Sequence, residues 1–189
     1  MKRVYIIIFV IFIFNGCIPK SKHQINLYNI SQCANISGTT KVNKILKLRY
    51  PLSLGAFGGS RIYYKRGGLT SYYQYSRWSD SLNSMIYKSI LETLLKSKKY
   101  KDVISYNSSI KADLVLEVNI LDFYHIVDNN KSYLLVKIAI KLTDEKSAKL
   151  IKSKLFTYKK ELKVANAKNL YKVAKELLNN FLIELTEEL

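Results

Sequence analysis

Histidine and cysteine are scarce in this sequence, with two of each in 189 residues, and tryptophan occurs once. Metal sites and many acid–base or nucleophilic centres draw on the first two. Neither His23 nor His125 has a Cys, Asp or Glu at metal-ligand spacing, so each reads as a satisfied or surface histidine. No serine has a nucleophile-elbow context. Asp113, Glu117 and Asp122 are near one another, but Asp113 and Glu117 alternate with Leu114 and Leu116, as on a solvated strand face. Residues 51–60 hold Gly55, Gly58 and Gly59. No lysine follows Gly59, however, and a phosphate loop needs one at the start of its helix. The residues assemble no catalytic, cofactor-binding or metal-binding set, which argues against an enzyme.

Acidic residues are also few, 14 against 31 basic ones, for a formal net charge of +17. Only five of the basic residues are arginine, and the 26 lysines are spread along the chain. Surfaces that read bases or clamp phosphates cluster arginine, so no nucleic-acid partner is expected. A composition rich in Lys, Ile, Asn and Tyr is the bias of an AT-rich genome. Some of the surplus charge is suited to attracting anionic lipid head groups. Neither internal repeats nor low-complexity blocks occur.

No apolar run is long enough to span a membrane. Residues 4–14 form eleven uninterrupted apolar positions after Lys2 and Arg3. At 1.5 Å per residue they cover about 17 Å of a hydrocarbon core about 30 Å thick. The run therefore fits the h-region of a secretory signal peptide. It ends at Asn15-Gly16-Cys17, which resembles the lipobox of bacterial lipoproteins. That resemblance makes residues 1–16 a signal peptide and Cys17 the lipidated (palmitate-bearing) residue. Phe14 and Asn15 depart from the usual Leu and Ala/Ser. Several acyl chains anchor stably where one would not. Ile18 stands where an aspartate commonly retains such proteins at the inner membrane, which favours the outer membrane, facing the periplasm. Cleavage leaves 173 residues and a net charge of +15, enough for one domain with its own core. Residues 17–24 are a tether and 25–189 the domain. Cys33 is then left odd, either half-buried and inert beside the first strand or pairing between molecules.

Residues 25–30 and 42–50 read as strands. Within 61–78 two aromatic runs flank Gly67-Gly68, a pair suited to a two-residue hairpin turn. That turn sets Tyr63 opposite Tyr72 and Ile62 opposite Tyr73. After Trp78 the spacing becomes helical, with Ser79 or Asp80 as N-cap. Leu82, Met85, Ile86, Ile90 and Leu94 form the buried face, and Lys96, Lys98 and Lys99 suit the helix end. Residues 100–106 form a short strand. Residues 112–127 form a long one whose apolar phase flips at Leu121, predicting a β-bulge near Ile120. A turn at 128–131 leads to a strand carrying Leu134, Val136, Ile138, Ile140 and Leu142. Residues 150–162 return as a lysine-protected edge strand, completing a meander. A final helix covers 167–187, with Asn166 as N-cap.

The motif Arg61-Ile62-x-Tyr64, then Tyr72-Tyr73-x-Tyr75-x-Arg77-Trp78-x-Asp80, then Met85-Ile86, resembles the ABC-type transport auxiliary lipoproteins, the paraquat-inducible protein C type. Ala112-Asp113-Leu114-x-Leu116-Glu117-Val118, Asp122-Phe123, Leu142-x-Asp144 and Phe156 extend the likeness from about residue 25 to the C-terminus. Ser81-Leu82 stand where the family usually has proline. The resemblance implies an α+β domain, an antiparallel sheet with two helices packed on one face. It also implies a non-catalytic accessory of MCE (mammalian cell entry) lipid-transport systems, with an MCE-domain protein and ABC transporter components as partners. Some members form rings, so a homo-oligomer is compatible with it. Arg61, Tyr64, Tyr73, Arg77, Trp78, Asp80 and Asp113 match family positions. They either hold the hairpin against the helix or contact a partner. A pilotin-like assembly lipoprotein, which holds a partner segment on a sheet edge, is the alternative.

Overall fold

The computed structural model describes residues 24–36, 41–128 and 131–189. The expected signal peptide, Cys17, the expected tether as far as His23, and Asn129-Asn130 of the expected turn lie outside the described residues. The described residues form nine strands: β1 Asn26–Tyr28, β2 Val42–Leu48, β3 Leu52–Ser53, β4 Arg61–Arg66, β5 Leu69–Trp78, β6 Tyr100–Ile104, β7 Leu114–Asp128, β8 Lys131–Asp144 and β9 Leu150–Glu161. Two helices, α1 Leu82–Ser97 and α2 Ala167–Glu188, complete them.

The 15-residue strand β7 is the spine. Along one side β8 pairs with it antiparallel from Leu114 to Asp128, and β9 pairs with β8, so the meander forms as the alternation predicts. The register slips between Ile120 and Asp122, where the apolar phase flips. On its other side β7 takes three partners in turn, β2, β3 and β4, all parallel. Beyond them β6 pairs parallel with β2, β5 antiparallel with β4, and β1 parallel with β5. The sheet is therefore mixed, which corrects the expected antiparallel sheet. Alternation reports which residues face the core, not the direction of the neighbouring strand. Parallel pairing needs a long crossover, and the path from β2 to its parallel neighbour β6 runs through β3, the hairpin β4–β5 and α1.

The inner face of the sheet carries Leu116, Val118, Ile120, Leu134, Ile138 and Ile140, each at most 2% exposed. Against it lie Ile86, Ile90 and Leu94 of α1 and Leu170, Phe181 and Leu185 of α2, also almost wholly buried. Phe156 of β9 meets Phe181 edge-on at 5.1 Å, and Tyr28 of β1 meets Tyr171 at 5.3 Å. These rings show that α2 reaches from one outer strand to the other on that face.

Local signals explain the helix ends. Asn166 caps α2 by accepting from the Asn169 amide at 2.8 Å. For α1 the cap is Ser81, whose hydroxyl accepts from the Ser84 amide at 3.1 Å, rather than Ser79 or Asp80. Asp80 instead accepts from the Ser81 amide and the Ser84 hydroxyl, both at 2.6 Å, and these bonds hold its carboxyl below the usual range. Lys98 adopts a left-handed C-cap conformation, φ 51°. Lys99 does not serve the α1 terminus, because its Nζ donates to the Thr186 carbonyl of α2 at 2.8 Å.

Candidate functional site

The hairpin β4–β5 gathers most of the family-motif residues. Its turn is Gly67-Gly68, with φ 54° and 80°, a conformation that costs other residues strain. Tyr63 stands opposite Tyr72, as the turn dictates, and their rings meet edge-on at 6.2 Å. The ladder then slips between Arg61 and Tyr63, so Ile62 is not held opposite Tyr73, and Arg61 comes opposite Arg77. The irregularity lets Ser76 and Trp78 turn inward, where they are 8% and 3% exposed.

Trp78 is a core residue. Its ring packs edge-on against Phe123 of β7 at 6.0 Å, and its amide donates to the Ser60 carbonyl at 2.8 Å. Tyr73 is structural too. Its hydroxyl lies 2.6 Å from Nδ1 of His125, its ring stacks on the imidazole at 6.0 Å, and Tyr64 leans on it at 5.3 Å. Burial raises the Tyr73 hydroxyl to about 12 and, with Arg66 adding to the effect, lowers His125 to about 4. His125 is wholly buried, and its Nε2 has no partner among the described residues. The sequence leaves His125 as a satisfied or a surface histidine; the structure buries it, and the tyrosine that meets it lies 52 positions away in the chain.

Asp113 lies far from the hairpin, at the entrance to β7. Its Oδ2 accepts from the Ile45 amide at 2.7 Å, and its own amide donates to the Ile45 carbonyl at 2.9 Å. Asp113 thus pins β2 to β7. Glu117 pairs with Arg49 at 2.6 Å and Asp122 with Lys137 at 3.1 Å, so the three carboxylates serve separate contacts. Among the described residues no cluster of three or more His, Cys, Asp or Glu could hold a metal.

Arg61 and Arg77 face the other way. Arg77 is in register with Leu27 of β1 as well as with Arg61, so the three residues make one row across three strands. The neighbouring row, Tyr28 and Trp78, faces the helices, so the Leu27–Arg77–Arg61 row lies on the outer face. The Arg61 guanidinium sits 4.6 Å above the Tyr72 ring. Beside Arg77 in that row Leu27 is 65% exposed. The motif carries the two arginines but not Leu27, which comes beside them only through the pairing of β1 with β5.

Residues 34–184 match the profile of the family described as the ABC-type transport auxiliary lipoprotein component. A DUF330-family protein from Xanthomonas campestris aligns with a TM-score of 0.75 at 16% identity, over 86% of this chain and 92% of that one. An uncharacterized protein aligns with a TM-score of 0.65 at 11% identity, over 87% and 98%. The hypothetical protein CT253 from Chlamydia trachomatis gives 0.51 at 10%, over 78% and 98%. At such identities the likeness establishes the fold alone. No curated protein matches the sequence.

Proposed function

The chain belongs to the ABC-type transport auxiliary lipoprotein component family, and on that premise we propose that it is a lipid-anchored accessory of an intermembrane lipid-transport system. In this reading Cys17 carries the acyl chains and holds the domain at the periplasmic face of the outer membrane. The domain docks an MCE-type conduit that an inner-membrane ABC transporter powers. It performs no chemistry of its own and works by position. The family match over residues 34–184 carries this proposal. The lipobox-like Asn15-Gly16-Cys17 and the absence of an aspartate after Cys17 support the anchoring and its membrane.

Within this function Trp78, Tyr73, Tyr64 and Asp113 build the domain, while Arg61 and Arg77 are displayed by it. Asp80 supports the α1 entry. The test is affinity purification of the detergent-solubilised lipoprotein followed by mass spectrometry. The proposal expects an MCE-domain protein with its ATPase and permease. Recovery of none of them, under conditions that preserve other envelope complexes, contradicts it. Recovery of a secretin would instead assign a pilotin-like role.

A further inference from the structure

Acidic residues are unevenly placed along this chain. The first of the fourteen is Asp80, so everything before it, including β1 to β5, contains no carboxylate side chain. Arg61 and Arg77 stand directly opposite each other on neighbouring strands. Like charges so placed repel, and neither arginine has a carboxylate partner among the described ion pairs. Two adjacent guanidinium groups without a carboxylate partner suit a phosphate, which arginine binds through paired donors. Around them are exposed apolar and amphipathic side chains: Ile25 46%, Leu27 65%, Tyr72 36% and Tyr75 46%. Arginine and tyrosine beside aliphatic side chains are the composition that settles at a bilayer interface.

Chain length brings this surface to a membrane. Nine residue steps separate Cys17 from Asn26, the first residue of β1. At full extension they reach only about 30 Å. A domain of this size has a radius of gyration near 15 Å and a diameter of about 40 Å. A lipid on Cys17 therefore keeps β1 and its neighbour β5 close to the bilayer while the far edge can stand clear.

We propose that the outer face of β1, β4 and β5 lies on the bilayer, with Arg61 and Arg77 sharing the phosphates of anionic phospholipids and Leu27, Tyr72 and Tyr75 at the head-group level. This rests on the lipoprotein reading above and goes beyond it. The acyl chains attach the domain, and the hairpin fixes which way it faces. The two arginine charges account for roughly 30-fold in affinity for an anionic over a neutral surface.

The test uses the intact lipidated protein in vesicles of phosphatidylethanolamine with or without about a quarter phosphatidylglycerol, read by amide hydrogen exchange. The expected result is slower exchange over residues 61–78 in the anionic vesicles. The effect should be lost in Arg61→Glu/Arg77→Glu and in the milder Arg61→Gln/Arg77→Gln, with unchanged thermal melting, and should persist with lysine at both positions. Equal exchange in both vesicles overturns the proposal. So does equal protection by inorganic phosphate in detergent, which would mean a simple anion site. Protection only in membranes from the producing cells would assign the face to a protein partner and also overturns it. Intact mass of the same sample reports acylation separately, so a failure of the lipoprotein reading is distinguished from a failure of the docking proposal.

Discussion

The residue with the most unusual surroundings is His125. It is buried beneath the hairpin, stacked on Tyr73 and close to Tyr64, with Arg66 adding positive potential and Leu134 opposite it on β8. Its folded-state value of about 4 lies below the 6.5 of an unperturbed histidine. Between those values the unfolded chain binds a proton that the folded chain refuses. The stability associated with the neutral ring is complete above pH 6.5, declines as pH falls towards 4, and levels off below. The linked loss is on the order of 3 kcal/mol. Denaturant unfolding of His125→Leu across this range should show a flatter pH dependence than the natural chain. Tyr73→Phe removes the only described partner of the imidazole and should cost about 1–3 kcal/mol at neutral pH. The family-motif tyrosines were visible as residues, but the side chain they serve was not, because strand pairing distant in sequence creates the contact.

At the scale of elements, the hairpin and the helix after it divide the motif into a structural half and a displayed half. Trp78→Ala should cost about 3–5 kcal/mol, as for large aromatics lost from a core. Arg77→Gln one position earlier should leave thermal unfolding nearly unchanged. Finding the reverse would mean that the inward and outward assignments are exchanged. Ser81→Ala removes the α1 cap and should cost about 1 kcal/mol, whereas Ser79→Ala should be near neutral, which thermal melts can resolve. Local patterns gave much at this level. Gly67-Gly68 announced the turn, Asn166 the α2 cap, and the phase change at Leu121 the bulge in β7. The slip at Arg61 and the cap at Ser81 escaped, since both depend on how Trp78 must turn to reach Phe123 and on where β5 ends.

At the scale of the whole molecule, alternation and helical spacing were sufficient for an α+β domain with two helices, and for the meander of β7, β8 and β9. They could not supply the three parallel partners of β7, because nothing in a strand's own sequence states its neighbour's direction. They also could not show that Arg61 and Arg77 line up beside Leu27 of β1. The chain is polarised in sequence, with no acidic side chain before Asp80 and all fourteen at and beyond it. Replacing Cys17 with serine should release the domain from the outer-membrane fraction on density-gradient fractionation, without altering its fold by circular dichroism. Acylation of Cys17 is the chemistry on which the proposed function turns. Mass spectrometry of the N-terminal peptide from envelope-purified protein tests it directly. Loss of residues 1–16 and an acylated Cys17 at the new N-terminus are the predicted result. An unmodified Cys17 thiol, or retention of residues 1–16, would contradict it.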